Sequence, residues 1–349
     1  MSAPQHTRRL VGTWPTGTMP AAVITGPKRV EVAAVPVPER RSGHVLVRTH
    51  YLGLCGTDLE LFHGTASYLR DGRARYPHVF GHEWWGEVVA ADDAPGFAPG
   101  DPVVGHTMIT CGECARCLGG ARQQCTRMTE VGLYDQQGAA AKYIRMPAHA
   151  LTALPESLAV PWAVFVEPAV TVVEAFRRAR VRPDDRVAVV GTGTIGLLSV
   201  QLATKWAQHV IAVGVDPAGL ALAGVPAHLV LDAPAGEHSL VVEASGGAGA
   251  FGTAVRLVER GGRIALVGVS NEPEEGLVPG DLALRGITVL GVQHGIDHYA
   301  ETVRMFADGT LDGARLVAAV VPARTPERAF ELLEHGRSGP PKVIIGADW

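Results

Sequence analysis

Five cysteines occur in the 349 residues, and four of them, Cys111, Cys114, Cys117 and Cys125, stand in one C-x2-C-x2-C-x7-C stretch. Four thiolates at that spacing suit a single tetrahedral Zn²⁺ with every position filled, a structural site with no room for chemistry. Disulfides are disfavoured in a reducing compartment. A zinc ribbon for nucleic acid conflicts with the acidic balance, since only Arg116, Arg122 and Arg127 lie nearby. The fifth cysteine, Cys55, lies in a turn after an apolar run, and His82-Glu83 lies in a comparable turn after Pro77–Phe80. Brought together, a thiolate, an imidazole and a carboxylate would hold Zn²⁺ with one position open for water or substrate. Taken singly, a lone cysteine is usually packing and a His-Glu pair is usually surface. These residues alone therefore leave a second metal site and a bland reading both open.

A third chemical signal is Gly191-Thr192-Gly193-Thr194-Ile195-Gly196, a Gly-x-Gly-x-x-Gly turn that follows the β-branched run Val187–Val190 and precedes the helical pattern Leu197–Ala207. Gly191 permits a tight turn, Gly193 lets backbone N–H groups approach a pyrophosphate, and Gly196 lets helix and strand pack closely. The apolar run Val210–Val213 follows at the distance a β-α-β unit requires. This is the expected dinucleotide site.

The elements that must position these residues divide into two kinds. Up to about residue 158 the chain reads as short β-rich runs, Ala21–Thr25, Val30–Val35, Val45–Leu52 and Trp84–Ala90, between Pro and Gly clusters. From about Leu158 alanine-rich helical stretches alternate with buried strands at Val187–Val190, Val210–Val213, Leu240–Glu243, Arg263–Val267 and Ile287–Val292. That alternation predicts an α/β fold with a doubly wound parallel sheet. After Gly295 come helix His298–Asp308, strand Leu316–Val321, helix Pro326–Gly336 and strand Lys342–Ile345, a tail expected to return to the first unit. The expected division is an N-terminal extension over 1–18, a β-rich unit over 19–158 completed by 296–349, and a nucleotide-binding unit over 159–295.

Bulk properties narrow the function. The composition is 47% hydrophobic and 19% charged, which is globular, and the net charge of -4 gives no basic footprint for nucleic acid or an anionic membrane. No apolar stretch is long enough for a bilayer, and the amino terminus lacks the apolar core of a secretory signal, so a cytoplasmic location is expected.

Cys55-Gly-Thr-Asp58, Gly81-His82-Glu83, the four-cysteine lobe and the Gly191–Gly196 turn occur in a characteristic order. In these motifs the chain resembles the zinc-dependent medium-chain dehydrogenases/reductases, the alcohol and polyol dehydrogenase superfamily, over essentially all of residues 19–349. The resemblance implies a GroES-like mostly-β catalytic domain and a Rossmann domain with the active site between them. It implies two zinc ions per chain, one of them catalytic and bound by Cys55, His82 and Glu83. Glu167 of Val166-Glu167-Pro168 matches an acid that relatives place near the metal as a fourth ligand or water holder, and Asp58 matches the carboxylate that orients the metal-bound histidine. Thr57 matches the hydroxyl that contacts the substrate oxygen and starts a proton relay. The expected reaction is hydride transfer between a nicotinamide and a secondary alcohol or ketone.

Two departures from the family pattern bear on substrate and cofactor. Many relatives place a histidine base where this chain has Glu60, and a carboxylate there is similar to the glucose dehydrogenase branch, which suits a polyol, sugar or cyclitol. An amino-alcohol or threonine-type dehydrogenase is the alternative, and a non-catalytic zinc-stabilised nucleotide-binding protein is the rival of another class. At the strand end where NAD-using relatives carry a ribose-binding acid, this chain has Gly214, followed by Asp216. Asp216 would repel a 2′-phosphate, so NAD is expected rather than NADP. The resemblance also implies nicotinamide contacts from the backbone at Val267, Val269 and Val292, and a homodimer or homotetramer with Ile287–Val292 as an edge strand. Trp85 and His294 are candidates for the substrate pocket, with core packing and loop capping as the competing readings.

Overall fold

The computed structural model describes residues 12–91, 93–270, 273–274, 276–335 and 339–349. Residues 1–11, most of the expected N-terminal extension, lie outside the described residues.

Six parallel strands form one sheet in the spatial order Ala227–Leu229, His209–Gly214, Arg186–Val190, His238–Glu243, Val258–Leu266, Thr288–Gly291. The chain starts in the middle and winds outward both ways, which is the Rossmann order. Near-continuous apolar runs such as Val187–Val190, all buried, are what a parallel sheet covered on both faces demands. Helices Val166–Ala179 and Thr194–Trp206 pack on it through buried valines, leucines and alanines. One strand boundary differs from the sequence reading by several residues: the strand expected to begin at Arg263 begins at Val258, directly after helix Ala250–Leu257. The pairing of that strand with His238–Glu243 is interrupted between His238 and Leu240, which lets the extra residues around Gly261-Gly262 be absorbed. The edge strand Ala227–Leu229 has no apolar signature because it is short and largely exposed.

A second, mixed sheet runs Leu151–Ala153, Pro102–Gly105, Glu83–Ala90, His44–Gly53, Lys342–Gly346, Val317–Pro322, with Tyr143–Pro147 also paired to His44–Gly53. A three-stranded sheet, Arg29–Pro36, Thr18–Gly26 and His78–Val79, packs with it around a core that includes Phe80, Trp84 and Phe330. This is the GroES-like half. The final strand lies beside His44–Gly53, so residues near the carboxyl terminus complete a sheet begun near the amino terminus.

The stretch read as a turn at Cys55 is the start of a helix, Gly56–His63, with Cys55 at its N-cap. Asp58 explains the difference: its Oδ2 accepts the Cys55 backbone N–H at 2.9 Å, an acid in the first turn closing a cap that cysteine cannot close alone. Among the described residues, no helix is long and apolar enough to cross a membrane.

Candidate active site and metal centres

The two cysteine-containing sites are built differently. In the lobe, Cys111, Cys114, Cys117 and Cys125 are all free thiols, with Sγ separations of 3.5 Å for Cys114–Cys117 and Cys111–Cys125 and 3.9 Å for Cys111–Cys117 and Cys114–Cys125. A Zn–S bond of about 2.3 Å in a regular tetrahedron requires S···S edges of about 3.8 Å, whereas a disulfide requires about 2.0 Å. The thiols therefore fit zinc and not disulfides. Backbone N–H groups of Cys111, Cys114 and Arg127 point at the sulfurs, each at 3.4 Å, and would offset thiolate charge.

At the other site, one donor atom each from Cys55, His82 and Glu83 lie within 4.8 Å of one another. Cys55 arrives from the helix N-cap, while His82 and Glu83 arrive from the entry to strand Glu83–Ala90. That strand and His44–Gly53 are hydrogen-bonded neighbours, with Gly53 opposite Glu83, which is what brings the two turns together. His82 and Glu83 are buried, and Cys55 is half-buried. Asp58, fully buried, has Oδ1 3.6 Å from His82 Nδ1, an ion-pair distance slightly long for a hydrogen bond. The Thr57 hydroxyl is 3.7 Å from Cys55 Sγ.

Glu167 is not in that donor set. Its Oε1 accepts a short hydrogen bond from Thr107 Oγ1 and lies 3.2 Å from His294 Nε2. Burial alone would raise its pKa, but His294 and Thr107 hold it down at about 2. His294 stands three residues beyond the last parallel strand, Thr288–Gly291. This contact therefore joins the carboxyl end of the parallel sheet to the neighbourhood of the metal donors. Trp85 packs in the core with Val104 and helix Val166–Ala179, stacked on His50 and Tyr51. The packing reading of Trp85 is the one its surroundings support.

Four residues around this site are absent from the sequence reading. Lys342, buried at the start of the last strand, makes a close ion pair with Glu83 Oε2 and donates to the Leu54 carbonyl at 3.0 Å. Burial works against its ammonium charge, yet Glu83, with Cys55 and Glu167 nearby, raises its pKa above the usual lysine value. Thr107 holds Glu167. Tyr299 Oη accepts the Thr107 backbone N–H at 3.2 Å, and its ring stacks on His106 at 3.8 Å. Burial pushes His106 down to about 3, so its ring is neutral. The signal for Lys342 is a charged residue in phase with the inward-facing Ile344 of an apolar strand. Among the buried described residues around the site, the carboxylates of Asp58, Glu83 and Glu167 face the single ammonium of Lys342. The set holds more carboxylates than fixed cations, and a divalent cation would balance it.

The glycine turn lies after strand Arg186–Val190. Gly191 has φ +108°, and a side chain at Gly196 would place its Cβ 2.0 Å from the Gly191 carbonyl oxygen. Nothing lies within 4 Å of a Cβ built on Gly193, and the helix that begins at Thr194, continuing through Ile195, has no side-chain cap. Open space against unpaired backbone N–H groups is what a pyrophosphate needs. Gly214 ends its strand against Thr192, 3.3 Å from its Cβ position. Asp216 is an N-cap: its two oxygens accept from Ala218 and Gly219 N–H, each at 3.0 Å. Both oxygens of that carboxylate are thus engaged with backbone. No lysine or arginine occurs between Lys205 and Arg256. Val267 and Val292 are buried at strand ends and Val269 is exposed, at 82%. Glu60 is half-buried on the helix that Cys55 caps.

Residues 41–156 match the model of the alcohol dehydrogenase GroES-like domain. The chain is 26% identical over 329 residues to the sorbitol dehydrogenase of Bacillus subtilis, covering 90% of this chain and 93% of that one. It is 29% identical over 332 residues to the L-threonine 3-dehydrogenase of Bacillus licheniformis, covering 89% and 93%. The solved structure of an alcohol dehydrogenase from Thermus sp. ATN1 superposes with a TM-score of 0.84 at 29% identity, over 94% of this chain and 99% of that one. Over about nine-tenths of its length the chain is similar to zinc-type alcohol, polyol and threonine dehydrogenases. It is a zinc-dependent, nicotinamide-using oxidoreductase that acts on CH–OH donors.

Proposed function

We propose that the chain interconverts a secondary alcohol and its ketone, with a polyol, sugar or cyclitol as the substrate class and NAD as the cofactor. The observation that carries this reading is the convergence of Cys55, His82 and Glu83 donor atoms beside a Glu167 that is tied, through His294, to the carboxyl end of the parallel sheet. Ligands of open α/β sheets bind at that end. Zinc held by Cys55, His82 and Glu83 supplies the Lewis acidity that lowers an alcohol's pKa toward neutrality. Thr57 takes the role of first proton carrier, its hydroxyl accepting the alcohol proton as it passes its own onward, with Glu60 as the base that finally takes it up. Asp58 orients His82, and Glu167, ionised and anchored by Thr107 and His294, serves as a fourth ligand or holds a water against the metal. The Gly191–Gly196 turn and the helix starting at Thr194 hold the pyrophosphate, while the backbone at Val267, Val269 and Val292 faces the nicotinamide. NAD is preferred because the cation-free stretch beyond Gly214 offers a 2′-phosphate no partner while Asp216 repels it.

The amino-alcohol alternative retains support from the threonine dehydrogenase relative. The catalytic unit comprises 19–158 with 296–349, and the nucleotide-binding unit 159–295. A cytoplasmic homodimer or homotetramer is the expected form. Metal analysis of the purified protein, with NAD and NADP titrations and rates on sorbitol, xylitol, myo-inositol and L-threonine, tests the reading. Two zinc ions per chain, tighter NAD binding and polyol oxidation are expected. A single zinc would remove the catalytic metal, NADP preference would overturn the cofactor assignment, and turnover of threonine alone would favour the alternative.

A further inference from the structure

Two polar side chains near the metal donors have no part in the chemistry above. Glu130 lies on the short strand Thr129–Val131, which is pinned to both halves of the site. The Val131 backbone N–H donates to the Thr107 carbonyl at 2.9 Å. A Cβ on Gly132 would lie 2.5 Å from the Gly81 carbonyl oxygen, so the next residue is wedged against the turn that presents His82. The Glu130 side chain is half-buried, and its Oε1 accepts a 2.8 Å hydrogen bond from Tyr134 Oη. Arg73 stacks over the Tyr134 ring at 4.2 Å, which steadies that donor. Oε2 remains for another donor. Burial raises the Glu130 pKa, and the charges of His294, His82 and Glu167 all act on it, so it stands within electrostatic reach of the catalytic groups.

The second side chain is Tyr68, on the turn Ser67–Arg70. It is 9% exposed, and its hydroxyl is buried without a hydrogen-bond partner. Its ring tilts against Tyr134 at 5.8 Å, and the charges that act on its hydroxyl are those of Asp58, Glu60, Glu130 and Cys55. A buried hydroxyl is rarely left unpaired. This one belongs to a ring packed against Tyr134, the residue that donates to Glu130, and a ligand group would complete it.

We infer that Glu130 and Tyr68 form a second recognition pole for a polyhydroxylated substrate, hydrogen-bonding hydroxyl groups away from the carbon that is oxidised. The inference rests on the reading of Cys55, His82 and Glu83 as the reaction centre and specifies which alcohols that centre accepts. A monohydric alcohol would desolvate the Glu130 carboxylate and leave it unpaired, whereas a polyol hydroxyl donates to it. Sites that hydrogen-bond a substrate hydroxyl discriminate strongly against analogues lacking it.

The test measures kcat and KM with NAD for sorbitol, xylitol, myo-inositol and butan-2-ol, using zinc-loaded wild type, Glu130→Ala, Glu130→Gln and Tyr68→Phe. Zinc content and NAD binding are measured in parallel. The wild type should prefer a polyol over butan-2-ol. Glu130→Ala should lower polyol kcat/KM by roughly 10- to 100-fold, mainly through KM, and shrink the polyol to butan-2-ol ratio by a similar factor. Glu130→Gln should lose less, because an amide oxygen still accepts, and Tyr68→Phe should lose about 3- to 10-fold. If Glu130→Ala does not fold, the ratio in the isosteric Glu130→Gln decides. An unchanged ratio, or an equal loss on both substrates, overturns the inference. Wild type that oxidises butan-2-ol and no polyol overturns it while leaving the dehydrogenase reading intact. Wild type that oxidises none of them overturns both.

Discussion

The cysteine lobe and the Cys55 site would each take one metal ion, but they surround it in opposite ways. The lobe spans residues 111–125, gathers four like donors from one loop, and screens them with its own backbone N–H groups. The Cys55 site gathers three unlike donors from a helix N-cap and a strand entry and sets them among buried groups from four further parts of the chain: Thr107, Glu167, His294 and Lys342. A saturated thiolate shell leaves a metal chemically quiet, whereas a mixed shell with an open position keeps it acidic. The lobe is therefore a local structure, and the active site is a tertiary one.

Substitutions sharpen the contrast. The largest expected effect is at Cys55: Cys55→Ser should lower hydride transfer by at least about 10³-fold, some 4 kcal/mol of barrier, while zinc analysis falls from two ions to one. Retained turnover in that variant would remove the active-site metal from the argument. Next, Lys342→Met leaves Glu83 buried without its cation, and chemical denaturation should report a loss of roughly 3–5 kcal/mol. Adding Glu83→Gln should restore much of that stability without restoring activity. A Lys342→Met protein as stable as wild type would show the pair to be dispensable.

Cys114→Ser should cost far less globally. The lobe opens as a local unit, so limited proteolysis near residues 111–125 and a midpoint lowered by a few degrees, about 1–2 kcal/mol, are expected. A collapse of the whole fold would contradict the distinction between local and tertiary sites.

The smallest effect is a control away from both metals. His298 Nε2 is 2.9 Å from Glu174 Oε2 and its Nδ1 is 3.3 Å from Glu301 Oε2. The Glu174 hydrogen bond, against opposing burial and with help from Glu301 and Asp297, raises its pKa above 6.5. Arg178 and Arg177 face the same two carboxylates. A raised histidine pKa favours the folded state, with the full contribution present below the unfolded value of about 6.5 and lost as pH rises through the folded value. Thermal melts of His298→Asn against wild type should differ at pH 6 and converge above pH 8, with metal content unchanged.

How much of this was legible in the sequence follows the same division. The lobe could be read because all four ligands and their spacing sit in one stretch, and the glycine turn because phosphate approach, a positive φ and close helix packing each demand glycine. The parallel, doubly wound character of the nucleotide-binding sheet followed from alternating period, apart from the exposed edge strand Ala227–Leu229. Lys342, Thr107 and Tyr299 were not legible as site residues. Each is brought to the site by contacts with distant chain, as when Lys342 is carried in by a strand beside His44–Gly53. Asp216 has a capping role that could be read from its setting: an aspartate followed by Pro217 is a helix N-cap signature, and its oxygens accept from the Ala218 and Gly219 N–H groups.

The position of Lys342 on the final strand also imposes an order on the making of the protein. Cys55, His82, Glu83 and Glu167 are all translated long before it, so a chain still being synthesised holds the acidic half of its reaction centre without the ammonium that Glu83 is paired to in the finished fold. Assembly of the active centre therefore waits for the strand Lys342–Gly346. A product terminated before that strand would keep the residues of the nucleotide-binding sheet and the cysteine lobe but lack the cation that pairs with Glu83.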